Sequence, residues 1–325
     1  MPEGRAAWAV IREGRQEMDS KTLRYIAKRI VMAIVTLWAV ITVTFFVMKA
    51  VPGDPFASEK AVTPAARAAL EAKYGLDKPL MEQYKNYLVG ALHFDFGPSL
   101  KVRGREVTAI ILDGMRTSAK LGIIALLIAT VTGIVLGSIA ALRRNTIFDK
   151  FIMVITTAFV SMPSFIMGSL LLILFAIKLK WLPANGAQPG GLILPVITLS
   201  LYPMSYITRL TRSSMLDVLG QDYIRTAKAK GVSERNVIIK HALKNSLIPV
   251  ITYFGPELAY IVTGSLVVEQ IFAVPGIGRY FVSSITGRDY PLIMGTTIVL
   301  ASLIVIMNLV SDIMYKVVDP RINLE

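Results

Sequence analysis

Apolar and polar stretches alternate along the chain in blocks too long for strands. Six apolar runs stand out, over about 30–50, 117–142, 151–177, 192–210, 246–268 and 292–315. Each is close to the ~20 residues that cross a bilayer as helix at about 1.5 Å per residue. The pattern predicts an all-α polytopic membrane protein with six transmembrane helices. It divides the chain into an N-terminal segment (1–29), a six-span domain (30–315) and a tail (316–325). An even number of spans puts both ends on one side.

Prolines punctuate the runs. Pro195 and Pro249 fall in first turns, where the missing N–H costs little, whereas Pro163, Pro203 and Pro256 sit deeper and should bend their helices. The polar stretch 52–116 carries helix signals of its own. Thr63 and Pro64 read as N-cap and first helical residue, Gly75 as a stop, and Asp77 as the cap of a second helix over roughly 78–92. The stretch reads as a helical cap on the membrane surface or, more sharply, as a docking surface for an outside partner.

Composition strengthens the membrane reading, with 54% apolar residues and a mean hydropathy of +0.58. The net charge of +13 points away from nucleic acid, because the basic residues lie in the connections between runs. Segments 1–29, 143–150, 209–246 and 316–325 hold twenty Lys or Arg, against four in the short loops 178–191 and 269–291. The stretch 51–116 holds nine, but long loops cross a membrane largely regardless of charge. Both termini are therefore expected in the cytoplasm. The polar residues 1–29 have no cleavable-signal pattern, and Met18 is an alternative start. With no cysteine, disulfides and thiol chemistry are excluded.

Candidate chemistry is sparse. Glu257 and Asp312 are the carboxylates clearly within spans, while Lys49 and Lys120 lie near ends that allow snorkelling. Glu257 is either a polar contact inside the bundle or a proton carrier. His93 and His241 fall on opposite sides of the membrane in this topology, so no shared metal site is expected. No His-Glu-x-x-His pattern occurs, and no glycine precedes a lysine as a nucleotide-binding loop requires. The chain is thus expected not to be an enzyme, and any ATP that drives it binds elsewhere.

One stretch is too basic for a span and too apolar for a free loop: "YIRTAKAKGVSERNVIIKHALKNSLIPVI", 223–251. Asp222 to Lys230 can form a short helix that stops at Gly231, where a left-handed backbone is cheapest. Ser233 then caps a second helix, with Val232 and Val237 at the positions of a hydrophobic staple. Ile224, Ala227, Val237, Ile238 and Ala242 supply an apolar side. This helix–glycine–helix unit is shaped to pack against a cytosolic partner.

Within it, "TAKAKGVSERNVIIKHALKNSLIPV" resembles the EAA-type loop of ABC-importer permeases in their oligopeptide/dipeptide/nickel branch. "YIAKRI" (25–30), "VPGDP" (51–55), "YGLDKPLMEQYKNYL" (74–88), "VVEQIFAVPGIGRYF" (267–281), "DYP" (289–291) and "DPRI" (319–322) follow the same family in order. The resemblance runs from residue 24 to the end and is to the B-type subunit. Arg225 stands where the name-giving Glu would be, Thr226 replaces the first Ala, and Leu243-Lys244 replaces Leu-Pro, while Ala227 and Gly231 match.

The resemblance implies a type I importer permease in a bacterial or archaeal cell membrane, forming half of a passage for peptides. It implies a homologous C-type permease subunit, two cytosolic ATPases holding ATP and magnesium, an extracytoplasmic substrate-binding protein and surrounding lipid. The coupling loop would be 211–245, with Arg225, Thr226, Ala227, Lys230, Gly231, Val232, Ser233 and Glu234 at the ATPase. Tyr84, Tyr87, Glu269, Pro275 and Gly276 would serve outer-face docking. Nickel or another small solute is an alternative cargo. A rival from another class is an ion-coupled carrier acting alone through Glu257.

Overall fold

A backbone in hydrocarbon has no water to bond, so an apolar run must satisfy its N–H and C=O groups internally, as helix. The computed structural model, which describes residues 3–50, 64–102, 104–262 and 264–318, follows that rule. Helix α1 (Glu3–Ala50) is followed by α2 (Pro64–Lys73), α3 (Leu80–Leu92) and the long α4 (Val107–Leu142). Next come α5 (Ile147–Ser161) and α6 (Ser164–Leu171), the latter continuing as a π-helix over Leu172–Lys178. α7 (Ile193–Leu219) leads to α8 (Asp222–Ala229). A second short helical run is built from α9 (Glu234–Asn236), a π-helix over Val237–Leu243 and α10 (Lys244–Ser246). α11 (Ile248–Val262), α12 (Leu266–Ile271), α13 (Ile277–Gly287) and α14 (Tyr290–Val318) complete the chain. Among the described residues the only β pairing is an isolated bridge between Pro98 and Glu106.

The six runs do not become six equal rods. Ala27–Ala50, Val107–Leu142 and Tyr290–Val310 are long and apolar enough to cross a membrane. The expected third span is broken: α5 and the helix Ser164–Lys178 meet at 106°. Pro163 is the cause, because it withholds an N–H and drives Met162 into extended backbone (φ −92°, ψ 123°). The expected fifth run, 246–268, is also divided. α11 stops at Val262 and Gly264 takes φ +91°, so the end of the expected run becomes a separate helix, α12. α7 errs the other way, running past 210 to Leu219, so the start of the expected 211–245 loop is helix. Pro203 and Pro256 lie inside continuous α7 and α11.

Close approach of α4 to α7 and α11 organises the interior. A Cβ at Gly137 would fall 2.5 Å from the Thr208 carbonyl oxygen, and one at Gly122 would fall 2.7 Å from that of Ile261. In lipid, association rests on such van der Waals fit, since apolar side chains gain nothing by leaving lipid for protein. Leu121, Ala125 and Leu126 of α4 join Leu194, Val268 and Phe272 in one buried cluster. A second seam holds α1 to α14 through Phe45, Met48, Ile293 and Met294, with Tyr84 and Tyr87 of α3 packed on it. Pro64 begins α2, and Gly75 (φ +63°) follows its end, as expected; Thr63 lies outside the described residues. Asp77 does not cap α3, which starts after Pro79 without a side-chain cap.

Candidate functional site

The helix–glycine–helix unit forms as the sequence requires at its turn. Lys230 ends α8, and Gly231 takes φ +77°, with its N–H donating to the Lys228 carbonyl at 3.0 Å. The Val232 N–H donates to the Ala227 carbonyl at 3.2 Å, which completes a Schellman motif. Ser233 occupies the N-cap position of the second run without a side-chain cap bond, and the run is mostly π-helix rather than regular α-helix. Val232 and Val237 share an apolar cluster with Ile224, Ala227 and Ala242. Ala141 from the end of α4 and Met215 of α7 belong to the same cluster, so the unit is welded to the ends of two long helices. Of the residues expected at the ATPase, Arg225, Thr226, Lys230, Gly231, Ser233 and Glu234 are exposed. Ala227 and Val232 face inward and anchor them.

The residues expected at the outer face differ in burial. Glu269 and Gly276 are buried, and Tyr84 is turned onto α1, its hydroxyl 2.7 Å from Thr42 Oγ1. Tyr87 stacks against Phe45, and burial pushes its phenol upward. Pro275 is half-buried. Glu269 and Gly276 thus hold helices together from within, whereas Tyr84, Tyr87 and Pro275 keep part of their surface exposed. The reason is economy of charge: Glu269 lies against the N-terminus of α13, where unpaired backbone N–H groups favour an anion. Its Oε1 accepts from Ser118 Oγ at 2.7 Å and its Oε2 from the Arg279 N–H at 3.2 Å. Burial still pushes this carboxyl above its ordinary value.

Two further carboxylates anchor the fold in roles that neither motif nor spacing reveals. Asp149 accepts from Arg212 Nε at 2.6 Å and Nη2 at 2.7 Å, and from the Asn145 N–H at 2.9 Å. This fork ties the α4–α5 turn to α7. Asp289, of "DYP", accepts from Ser99 Oγ and from the N–H groups of Leu100 (3.1 Å), Lys101 (3.2 Å) and Leu292 (3.3 Å). It thus caps α14 and pins the connection before α4. "VPGDP" and "DPRI" lie outside the described residues, as does the side chain of Asp312.

The break between α5 and α6 opens onto a cavity of about 540 Å³. Ser161, Met162, Pro163, Tyr202 and Glu257 line it, together with Tyr260 and Gly264 at the end of α11. Of the polar residues on these runs, Thr156, Ser200 and Ser205 are buried and bond carbonyls of their own helices. His93 Nδ1 pairs with the Val89 carbonyl at 2.8 Å, and no metal-holding cluster occurs among the described residues.

A family model described as "Binding-protein-dependent transport system inner membrane component" matches residues 133–324. A second, "Binding-prot-dependent transport system membrane comp, N-term", matches 22–98. The "Dipeptide transport system permease protein DppB" of Bacillus subtilis (strain 168) is 48% identical over 302 residues, 93% of this chain and 98% of that protein. The "Oligopeptide transport system permease protein OppB" of Escherichia coli (strain K12) is 43% identical over 304 residues, covering 93% and 99%. A solved structure of the MetNI methionine ABC transporter in inward-facing conformations overlays with a TM-score of 0.51 at 16% identity. It covers 64% of this chain and 96% of that one, a likeness of fold.

Proposed function

The chain belongs to the family of binding-protein-dependent transport system inner membrane components, and from that premise we propose that it is the B-type permease subunit of an ATP-driven peptide importer. It forms half of the translocation passage, and a homologous C-type subunit forms the other half. An extracytoplasmic binding protein delivers di- or oligopeptides to it. Two cytosolic ATPases bind ATP and magnesium and hydrolyse the nucleotide, so this chain takes no catalytic part. Both termini and the helix–Gly231–helix unit lie in the cytoplasm, following the loop charge of twenty against four. Six spans, two of them interrupted, divide the chain as 1–29, 30–315 and 316–325.

One observation carries the coupling role: a docking-shaped unit exposes Arg225, Lys230 and Glu234 on one side and shares a buried cluster with α4 and α7 on the other. A push from a bound ATPase is passed to the span ends because close-packed interiors transmit displacement rather than absorb it. The test is reconstitution of the chain with its permease partner, both ATPases and the binding protein in liposomes. Peptide uptake that requires ATP and all partners is expected. Uptake driven by an ion gradient through this chain alone would overturn the reading in favour of a carrier based on Glu257. Nickel uptake that outcompetes peptide would move the cargo and leave the coupling intact.

A further inference from the structure

Among the carboxylates whose side chains are described, Asp149, Glu257, Glu269 and Asp289 lie in the interior or in a span, and Glu257 differs from the rest. Asp149, Glu269 and Asp289 each receive donors on both oxygens. Glu257 receives one donor, the Tyr253 hydroxyl, which gives to Oε2 at 2.7 Å. Among the described residues neither a cation nor a second donor meets it, and it faces the 540 Å³ cavity at the α5–α6 break. A carboxylate in a span is expensive and persists where it is paired or functional.

The lining says what the missing partner is. Phe159, Tyr202 and Tyr260 line the same cavity as Glu257 with aromatic side chains, and Met162 adds a soft apolar wall. Ring faces carry negative potential and attract an ammonium group, most strongly where water is scarce. A cavity lined by one carboxylate and several aromatic side chains therefore suits a cation on a small stem and disfavours an anion. Tyr260 also lines an adjoining cavity of about 420 Å³ with Pro256 and Asn308, so the space extends beyond one residue's length.

We propose that this cavity is a way-station in the passage that holds the primary ammonium group of the travelling peptide, with Glu257 as its counter-ion and Tyr202 and Tyr260 as its walls. The proposal rests on the peptide-importer reading. Tyr253 is a positioning residue that fixes the carboxylate rotamer and leaves Oε1 for the ligand.

The test exploits the absence of cysteine from the chain. Ser161→Cys places a thiol in the cavity lining, and its labelling rate by a maleimide is followed in the purified permease–ATPase complex without the binding protein. Trialanine, N-acetyl-trialanine and N-acetyl-lysine amide are added up to their solubility limits. Trialanine should slow labelling, and N-acetyl-trialanine should not. Glu257→Gln should raise the half-protecting concentration of trialanine about ten-fold, the cost of losing one charge-assisted contact, and Glu257→Asp should retain part of the protection. Protection by N-acetyl-lysine amide assigns the site to any primary ammonium, and its failure assigns it to the peptide N-terminus. Protection by N-acetyl-trialanine equal to trialanine, none by either amine, or protection unchanged in Glu257→Gln would each overturn the proposal. The importer reading is judged separately, by ATP-dependent uptake in the unmodified complex.

Discussion

A valine at Gly231 tests whether the left-handed turn is the joint between ATP hydrolysis and transport. Gly231 has φ +77°, is exposed, and has no heavy atom within 4 Å of where a Cβ would sit. The substitution therefore meets no clash inside the chain, and its whole internal cost is backbone strain. That cost is about 1–2 kcal/mol for a residue with Cβ, at the upper end when β-branched. It shifts the population of the turn by roughly 5–30-fold, enough to disturb the Schellman bonds at Lys228 and Ala227 and too little to unfold a helical membrane protein of this size. Membrane yield should stay near normal while peptide transported per ATP hydrolysed falls by about ten-fold. Gly231→Asn separates strain from bulk, because asparagine tolerates the left-handed region. If it transports normally, strain is the cause; if it fails like valine, the ATPase occupies the space over the turn. Gly220, at φ −80° with its nearest atom 3.5 Å from an added Cβ, serves as the control and should accept alanine. Normal coupling in Gly231→Val, or loss of that variant from the membrane, would refute the reasoning.

The Asp149–Arg212 fork predicts that Asp149→Asn costs about 3 kcal/mol, the lower end for a broken buried pair because Arg212 keeps some solvent; a thermal midpoint in detergent checks it, and adding Arg212→Gln should return part of the loss. At Asp289, an asparagine would turn an amide toward N–H groups that need an acceptor, costing about 2–3 kcal/mol; limited proteolysis near residues 99–102 should speed up. Gly276→Ala would drive a Cβ into the Glu269 carboxylate and within 2.5 Å of Ser118 Oγ, so assembly yield should drop by the ~1–3 kcal/mol of an overpacked site. Topology is checked with single cysteines on intact cells: positions 145 and 233 should resist an impermeant maleimide and position 187 should react, and labelling of 233 from outside would reverse the orientation.

What the sequence made legible was whatever depends on local chemistry. Gly231 could be placed because a left-handed residue after a short helix has few alternatives, and Pro64 because proline is cheap only at a helix start. The six apolar runs were visible for the same reason, since each is a one-dimensional pattern. Their interruptions were not. Pro163 was read as a bend, yet the structure turns the chain by 106° there, because how far a proline displaces a helix depends on what packs against the freed backbone. Nothing local to 246–268 distinguished a full span from α11 plus a separate α12.

The polar anchors show the limit most clearly. Asp149 and Arg212 are 63 residues apart, Ser118 and Glu269 are 151 apart, and Ser99 and Asp289 are 190 apart. A donor at such a separation leaves no periodicity to find. The sequence motif alone places Glu269 at the outer face, and only the structure shows that its carboxylate is buried and bonded to Ser118 and Arg279. Glu257 was legible as an isolated carboxylate but ambiguous in role, because the sequence could not show which acids had partners. The structure adds a contrast among the described residues: Asp149, Glu269 and Asp289 have donors on both oxygens, while Glu257 has one donor and faces open space. In a medium where an unpaired charge is costly, such a carboxyl is either held neutral or completed by a partner, and the proposed ammonium is the partner that aromatic walls favour.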